Sequence, residues 1–145
     1  MKQWVLAAGI AALSLGAVSV GAVWAQDVVA QREADMKRMG SHLQAIKAVV
    51  DASGPVAPVA ERAADMRDYF ARMTGQFPAG SAEGSKALPA VWSDNAGFER
   101  AASNAAAAAG KLASAASAND SSAVAAAFRE VAASCGACHR GYRAR

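Results

Sequence analysis

The chain has 145 residues, a formal net charge of +3 and a hydrophobic content of 54%. This small positive charge, without a dense stripe of lysine and arginine between aromatic residues, excludes a typical nucleic-acid-binding surface. The only histidines are His42 and His139 and there are only two cysteines, so a four-ligand zinc site would have no spare ligand.

The first 25 residues are typical of a secretory signal peptide. Lys2 supplies a positive charge before an apolar run, and the run ends at Val23-Trp24-Ala25 with the small residues that a signal peptidase recognises. A permanent membrane anchor is the alternative, but this ending favours cleavage. We predict that residues 1–25 are removed, which leaves residues 26–145 as one periplasmic domain of 120 residues without a stable membrane anchor.

The first predicted helix runs from about Val28 to Asp51, and a second runs from Pro55 or Val56 to Thr74, after the helix-breaking Gly54 and Pro55. The apolar residues of the first helix recur at spacings of three and four, which is typical of a helix in a bundle: Met36, Met39, Leu43, Ile46 and Val50. His42 falls off this apolar face, so we expect it at the surface.

Residues 75–91 are rich in glycine, proline and serine and predict a long crossover loop or flap. Phe77, Leu88 and Trp92 are expected to pin this loop to the core. A third helix is predicted from the capping pair Ser93-Asp94 to about Ala118. Its many alanines favour a helix and reflect either close helix packing or a bias in composition.

The fourth predicted helix, from about Ser122 to Tyr142, carries the run Cys135-Gly136-Ala137-Cys138-His139. This run is typical of a c-type haem attachment site. Two thiols at this spacing lie on one side of a helical turn, where they can form thioether bonds with the haem vinyl groups. The adjacent imidazole can reach the iron as its proximal ligand.

Three other interpretations of the cysteine pair are weaker. A thiol–disulfide exchange motif usually opens a helix after a strand, and no strand is predicted upstream. Zinc needs about four ligands. A purely structural disulfide would leave the adjacent histidine without a role. Export to an oxidising compartment also agrees with haem attachment.

The mature chain resembles class II cytochromes c, the cytochrome c-prime family, over nearly its whole length. The resemblance rests on three blocks: Arg32-x-x-x-Met36-x-x-Met39-Gly40-Ser41-His42, Val91-Trp92-Ser93-Asp94-x-x-x-Phe98, and Phe128-x-x-Val131-x-x-Ser134-Cys135-x-x-Cys138-His139-x-x-Tyr142-Arg143. It implies an all-α antiparallel four-helix bundle with one covalently bound haem c near one end, an architecture for which cytochrome c-prime is itself a standard example.

The resemblance also implies roles for individual residues. Cys135 and Cys138 match the thioether cysteines, and His139 matches the proximal iron ligand. Arg143 matches a basic residue beside the proximal face. Arg32 matches an arginine near the haem propionates.

Met36 matches the distal position, over the other face of the haem. In cytochrome c-prime this position holds an apolar side chain that does not bind iron, whereas in low-spin relatives of the cytochrome c-556 type a first-helix methionine does bind it. Met36-Lys37-x-x-Gly40 resembles the methionine-ligated members. The sequence leaves both coordination states open.

Two functions follow from the resemblance. One is a periplasmic electron carrier that exchanges electrons with an unidentified redox partner protein. The alternative is a five-coordinate haem protein that binds nitric oxide or carbon monoxide. An enzyme is not expected, because no second histidine or acid is predicted over the haem. Many relatives form homodimers through their first two helices, although the charged outer face of the second helix argues against a large apolar contact.

Overall fold

The computed structural model describes residues 20–145, and four long helices form most of this part of the chain. In chain order the helices are α1 (Val20–Asp51), α2 (Val59–Arg72), the single turn α3 (Ala90–Ser93), α4 (Asn95–Ser117) and α5 (Ser121–Tyr142). They form an antiparallel four-helix bundle, so the predicted all-α fold class is confirmed. Within the described residues, no helix is both long and apolar enough to cross a membrane.

The predicted signal peptide lies largely outside the described residues. Its last part, from Val20 onward, continues directly into α1, which passes through the predicted cleavage point between Ala25 and Gln26. Cleavage therefore remains a prediction, and in the processed chain α1 would begin at Gln26.

The prediction for the start of α2 was wrong by three or four residues. Pro58 is the N-cap of α2, and as a proline it has no N–H with which to donate a backbone hydrogen bond toward the preceding residues. Val56 and Val59 are joined by a turn in which the Val59 N–H donates to the Val56 carbonyl at 2.9 Å. At its other end α2 continues into a 3₁₀ turn, Met73–Gln76.

The helix starts of α4 and α5 follow from side-chain caps. The Asp94 carboxylate accepts a hydrogen bond from the Gly97 N–H at 3.2 Å, and the Asp120 carboxylate accepts one from the Ala123 N–H at 2.9 Å. Each cap satisfies a backbone donor that lacks a partner within its helix. The predicted end of α5 at Tyr142 is confirmed.

The predicted apolar faces of α1, α2 and α5 point to the core, where they bury Met39, Ile46, Val59, Ala63, Met66, Phe70, Val124 and Val131. The alanines of α4 pack between α2 and α5, with Ala102, Ala105, Ala109 and Ala116 buried. Because alanine side chains are small, they let both neighbouring helices approach α4 closely. Of the two explanations for the alanine content, the structure therefore favours close packing.

Residues 77–89 form the crossover loop, which is held against the bundle as predicted. The Phe77 ring packs edge-on against Phe98 with 4.8 Å between ring centroids. The Trp92 indole N–H donates to the Phe77 carbonyl at 3.0 Å. Near the other end of the loop, the Leu88 N–H donates to the Tyr142 carbonyl at 2.9 Å. These contacts place the loop beside the C-terminal turn of α5.

Candidate functional site

A mainly apolar cavity of about 520 Å³ lies where the C-terminal part of α5 meets α1, α2 and the crossover loop. Its size falls within the range of about 300–1,000 Å³ that is usual for cofactor sites. Sulfur-containing, aliphatic and aromatic side chains make up much of its wall: Met36, Met39, Leu43, Met66, Phe70, Met73, Phe77 and Phe98.

Both cysteines of α5 are free thiols on the wall of this cavity. Burial raises the pKa of Cys135 and of Cys138, and the neighbouring Cys135 raises that of Cys138 further. Reactive thiols in exchange motifs have lowered pKa values, so the raised pKa of both cysteines does not support the thiol-exchange interpretation. Within residues 20–145, no three histidine, cysteine or acidic side chains come close enough to hold a metal ion, so the zinc interpretation lacks a ligand cluster.

His139 and Arg143 line the rim of the same cavity, one helical turn apart. Partial burial lowers the pKa of His139, and the positive charge of Arg143 lowers it further. A lowered pKa favours the neutral imidazole, which is the form that binds a metal.

Met36 is half-buried on the α1 side of the cavity, and Gly40 follows it one turn later on the same wall. No atom lies within 4 Å of the position that a Cβ on Gly40 would occupy. A flat ring can therefore lie close to the α1 backbone here. Two thiols, an imidazole and a thioether around an apolar cavity are a donor set that fits a covalently held haem. Glu33, which follows Arg32 in sequence, also lines this cavity.

Arg32 has a role that the sequence did not reveal. Its side chain is 4% exposed, and its guanidinium donates to the Gln76 carbonyl at 3.1 Å and to the Ser81 carbonyl at 3.0 Å. The same group stacks over the Phe77 ring, 4.2 Å from the ring centroid. Burial lowers the pKa of the guanidinium. The arginine that the resemblance places near the haem propionates thus holds the first part of the crossover loop against α1.

A polar network continues behind Arg32. The Gln76 amide donates to the Asp35 carboxylate at 2.6 Å, and this hydrogen bond is the main cause of the lowered pKa of Asp35. The Tyr69 hydroxyl donates to the Gln76 side-chain oxygen at 3.1 Å. Tyr69 is fully buried, and this burial raises its pKa to about 12.

We expect this tyrosine to make the fold sensitive to alkali. Its pKa is about 12 in the folded chain and about 10 when unfolded. The folded state therefore holds the proton more tightly, and the resulting stability is complete below pH 10 and disappears as the pH rises to 12. The free energy of unfolding should fall by roughly 2–3 kcal/mol over this interval. Urea unfolding at several pH values should show a smaller fall in Tyr69→Phe, and equal falls in both proteins would contradict the prediction.

His42 is partly exposed, at the place where α1 meets α2. Its side chain is 16% exposed, and its Nε2 lies 2.8 Å from an Asp65 carboxylate oxygen. Its Nδ1 lies 3.2 Å from an Arg62 nitrogen. Arginine can only donate, so Nδ1 accepts and Nε2 carries the hydrogen that is donated to Asp65. His42 therefore links α1 to α2, and it does not line the apolar cavity.

Comparison with known proteins agrees with this geometry. The family model described as cytochrome C' matches residues 27–143. The chain belongs to the cytochrome c' family. Proteins of this family carry one covalent haem c per chain, so the predicted cofactor is confirmed. The family consists generally of non-enzymatic haem proteins.

Individual relatives extend over most of the chain. Cytochrome c-556 of Agrobacterium fabrum is 35% identical over 138 residues, which are 92% of this chain and 92% of that protein. Cytochrome c' from Thermochromatium tepidum superposes with a TM-score of 0.79 at 25% identity, covering 83% of this chain and 97% of that one. The nitric oxide complex of a cytochrome c prime variant from Alcaligenes xylosoxidans gives a TM-score of 0.76 at 32% identity, covering 83% and 96%.

Proposed function

We propose that this protein is a periplasmic electron carrier in which one haem c is held by Cys135 and Cys138. The observation that carries the proposal is that Met36 of α1 and His139 of α5 line the same cavity. A bound haem supplies reversible one-electron chemistry at iron, with a reduction potential set by its axial ligands. In this proposal His139 is the proximal ligand and Met36 the distal one, a pair that raises the potential.

The remaining side chains support this role in two ways. The mainly apolar wall would surround a bound haem with a low-dielectric environment, which is one of the factors that set its potential. Partial burial and, second, the charge of Arg143 lower the pKa of His139, and Arg143 would supply a cation beside the proximal face. The wall is mainly apolar, and Glu33 is the one acidic residue among the described residues that line it. We therefore propose electron transfer to a partner protein without substrate turnover.

A second function is binding of nitric oxide or carbon monoxide, with Met36 acting only in packing. The apolar side chains around Met36 favour it, because an uncharged diatomic ligand needs no polar partner. One solved relative is itself a nitric oxide complex. Absorption spectra of the oxidised, reduced and carbon-monoxide-treated protein separate the two functions. A six-coordinate low-spin spectrum supports electron transfer, and a five-coordinate high-spin spectrum supports gas binding.

Export is expected to shorten the chain. The positive Lys2, the apolar run that follows it and the small residues before Gln26 predict removal of residues 1–25. The intact mass of the purified native protein should correspond to one haem and a chain that begins at Gln26. A mass that includes Met1 would overturn cleavage and leave α1 with its preceding segment.

The chain is also expected to form a homodimer, since closed two-fold dimers are the commonest oligomers. The outer face of α2 is charged, with an ion pair between Arg67 and Asp68 at 2.8 Å. Such a face limits the apolar area that an interface can bury, so we expect a dimer that dissociates on dilution. Light scattering across a dilution series should show a falling mass, and a monomer mass at every concentration would contradict dimerisation.

A further inference from the structure

The last turn of α5, which begins at His139, is joined to the start of α4 by a side-chain contact. The Tyr142 hydroxyl donates to one carboxylate oxygen of Asp94 at 2.7 Å. The other carboxylate oxygen accepts the capping hydrogen bond from the Gly97 N–H at 3.2 Å. The Tyr142 ring also packs edge-on against Phe98, with 5.3 Å between centroids. A single carboxylate therefore caps α4 and holds the end of α5.

Gly97 is a second observation that supports this contact, because a larger residue at its position would interfere with it. A Cβ at this position would collide with the Tyr142 hydroxyl oxygen and with the carboxylate of Asp94. Glycine leaves the space in which the hydrogen bond between these two side chains forms. Within the run Asp94-x-x-Gly97-Phe98, Asp94 caps α4 and accepts the hydrogen bond of Tyr142, Gly97 leaves room for the Tyr142 hydroxyl, and Phe98 packs against its ring.

The backbone around Tyr142 is held as well. Its carbonyl accepts from the Leu88 N–H at 2.9 Å, and the Ala144 N–H donates to the Lys86 carbonyl at 2.8 Å. The Arg143 N–H closes the last turn by donating to the His139 carbonyl at 3.2 Å. Carbonyls in the last turn of a helix lack intrahelical partners, and such ends open easily. Here the end of α5 is fixed by α4 on one side and by the crossover loop on the other.

We propose that Asp94 and Tyr142 are positioning residues for the iron ligand His139. They hold the turn that carries the imidazole, and so fix the direction from which the imidazole meets the iron. This inference rests on the proposed role of His139. A hydrogen bond to a carboxylate is about twice as strong as one between neutral groups, so Tyr142→Phe removes a charge-assisted restraint on this turn while it keeps the ring contact with Phe98.

The test compares the haem-loaded wild type with Tyr142→Phe, Gly97→Ala and a control, Glu130→Gln. The control breaks the Lys111–Glu130 pair, which at 2.8 Å also links α4 to α5 but does not line the cavity. Hydrogen exchange of the amides of residues 139–144, the absorption spectrum and the midpoint potential are measured. We expect Tyr142→Phe to speed the exchange about tenfold and to change the spectrum and the potential. Gly97→Ala should do the same, and Glu130→Gln should change none of them.

The variant His139→Ala tests the role of His139 as iron ligand separately from the positioning role of Asp94 and Tyr142. If its spectrum equals that of the wild type, the proposed iron ligand is wrong and the inference fails with it. If His139→Ala alters the spectrum while Tyr142→Phe and Gly97→Ala leave the spectrum and potential unchanged, the ligand stands and the positioning role is overturned. Faster exchange with an unchanged spectrum and potential would likewise assign the contact to stability alone.

Discussion

Replacement of both Cys135 and Cys138 by alanine is expected to give a colourless chain that does not fold stably. Both thiols lie on the wall of a cavity of about 520 Å³. Left empty, such a volume would cost on the order of 10 kcal/mol at about 24 cal/mol per Å³, an upper value because water can enter. A domain of this size has only about 5–15 kcal/mol of stability. Without its haem the bundle would therefore lose most or all of this margin.

Absorption at the haem band and circular dichroism in the far ultraviolet measure the two effects. The single variants Cys135→Ala and Cys138→Ala serve as matched controls, because each keeps one thioether and should remain coloured with intermediate stability. For the wild type, acid acetone should leave the colour with the protein. A double variant that is helical, stable and coloured would contradict both the covalent attachment and the role of the haem in the core.

The parts of the fold that could be predicted depend on local spacing. Apolar residues three and four apart predicted the buried faces of α1 and α2, and Asp94 was recognised as a helix cap from its neighbours alone. The start of α2 was misplaced because the apolar spacing continues back to Val56, whereas Pro58 has no backbone N–H and stands at the N-cap of the helix. The aromatic residues of the crossover loop indicated that it packs on the core, but its contact with Arg32 had no local signal, since Arg32 and Ser81 are 49 residues apart in sequence.

In the candidate site, too, features set by neighbouring residues could be predicted and contacts between distant residues could not. The haem motif was predictable because its two cysteines and its histidine lie within five consecutive residues. The partners of Arg32 and of His42 come from other elements of the bundle, so their spacing in sequence carries no information about them. Tyr142 was placed on the correct face of α5, but its bond to Asp94 depends on how α5 meets the start of α4.

The variant Met36→Leu is expected to convert a low-spin protein into a high-spin one that takes up carbon monoxide more readily. Met36 is half-buried on the cavity wall, where a flexible thioether can reach iron. A ligand that occupies the sixth position of the iron competes with carbon monoxide. The apparent affinity for carbon monoxide is therefore the intrinsic affinity multiplied by the fraction of iron whose sixth position is open. If about one tenth is open in the wild type, removal of the thioether should raise the affinity about tenfold.

Leucine is the informative replacement because it removes the sulfur and nearly preserves the volume, at a cost usually below about 1.5 kcal/mol. Met39→Leu is the matched control, since Met39 lies three residues further along α1 and lines the same cavity. Only the first variant should change the spin state if Met36 is the ligand. A spectral change confined to Met39→Leu would assign the sixth position to that residue. A wild type that is already high-spin would exclude methionine coordination and favour the binding of diatomic gases, with Met36 filling space above the haem.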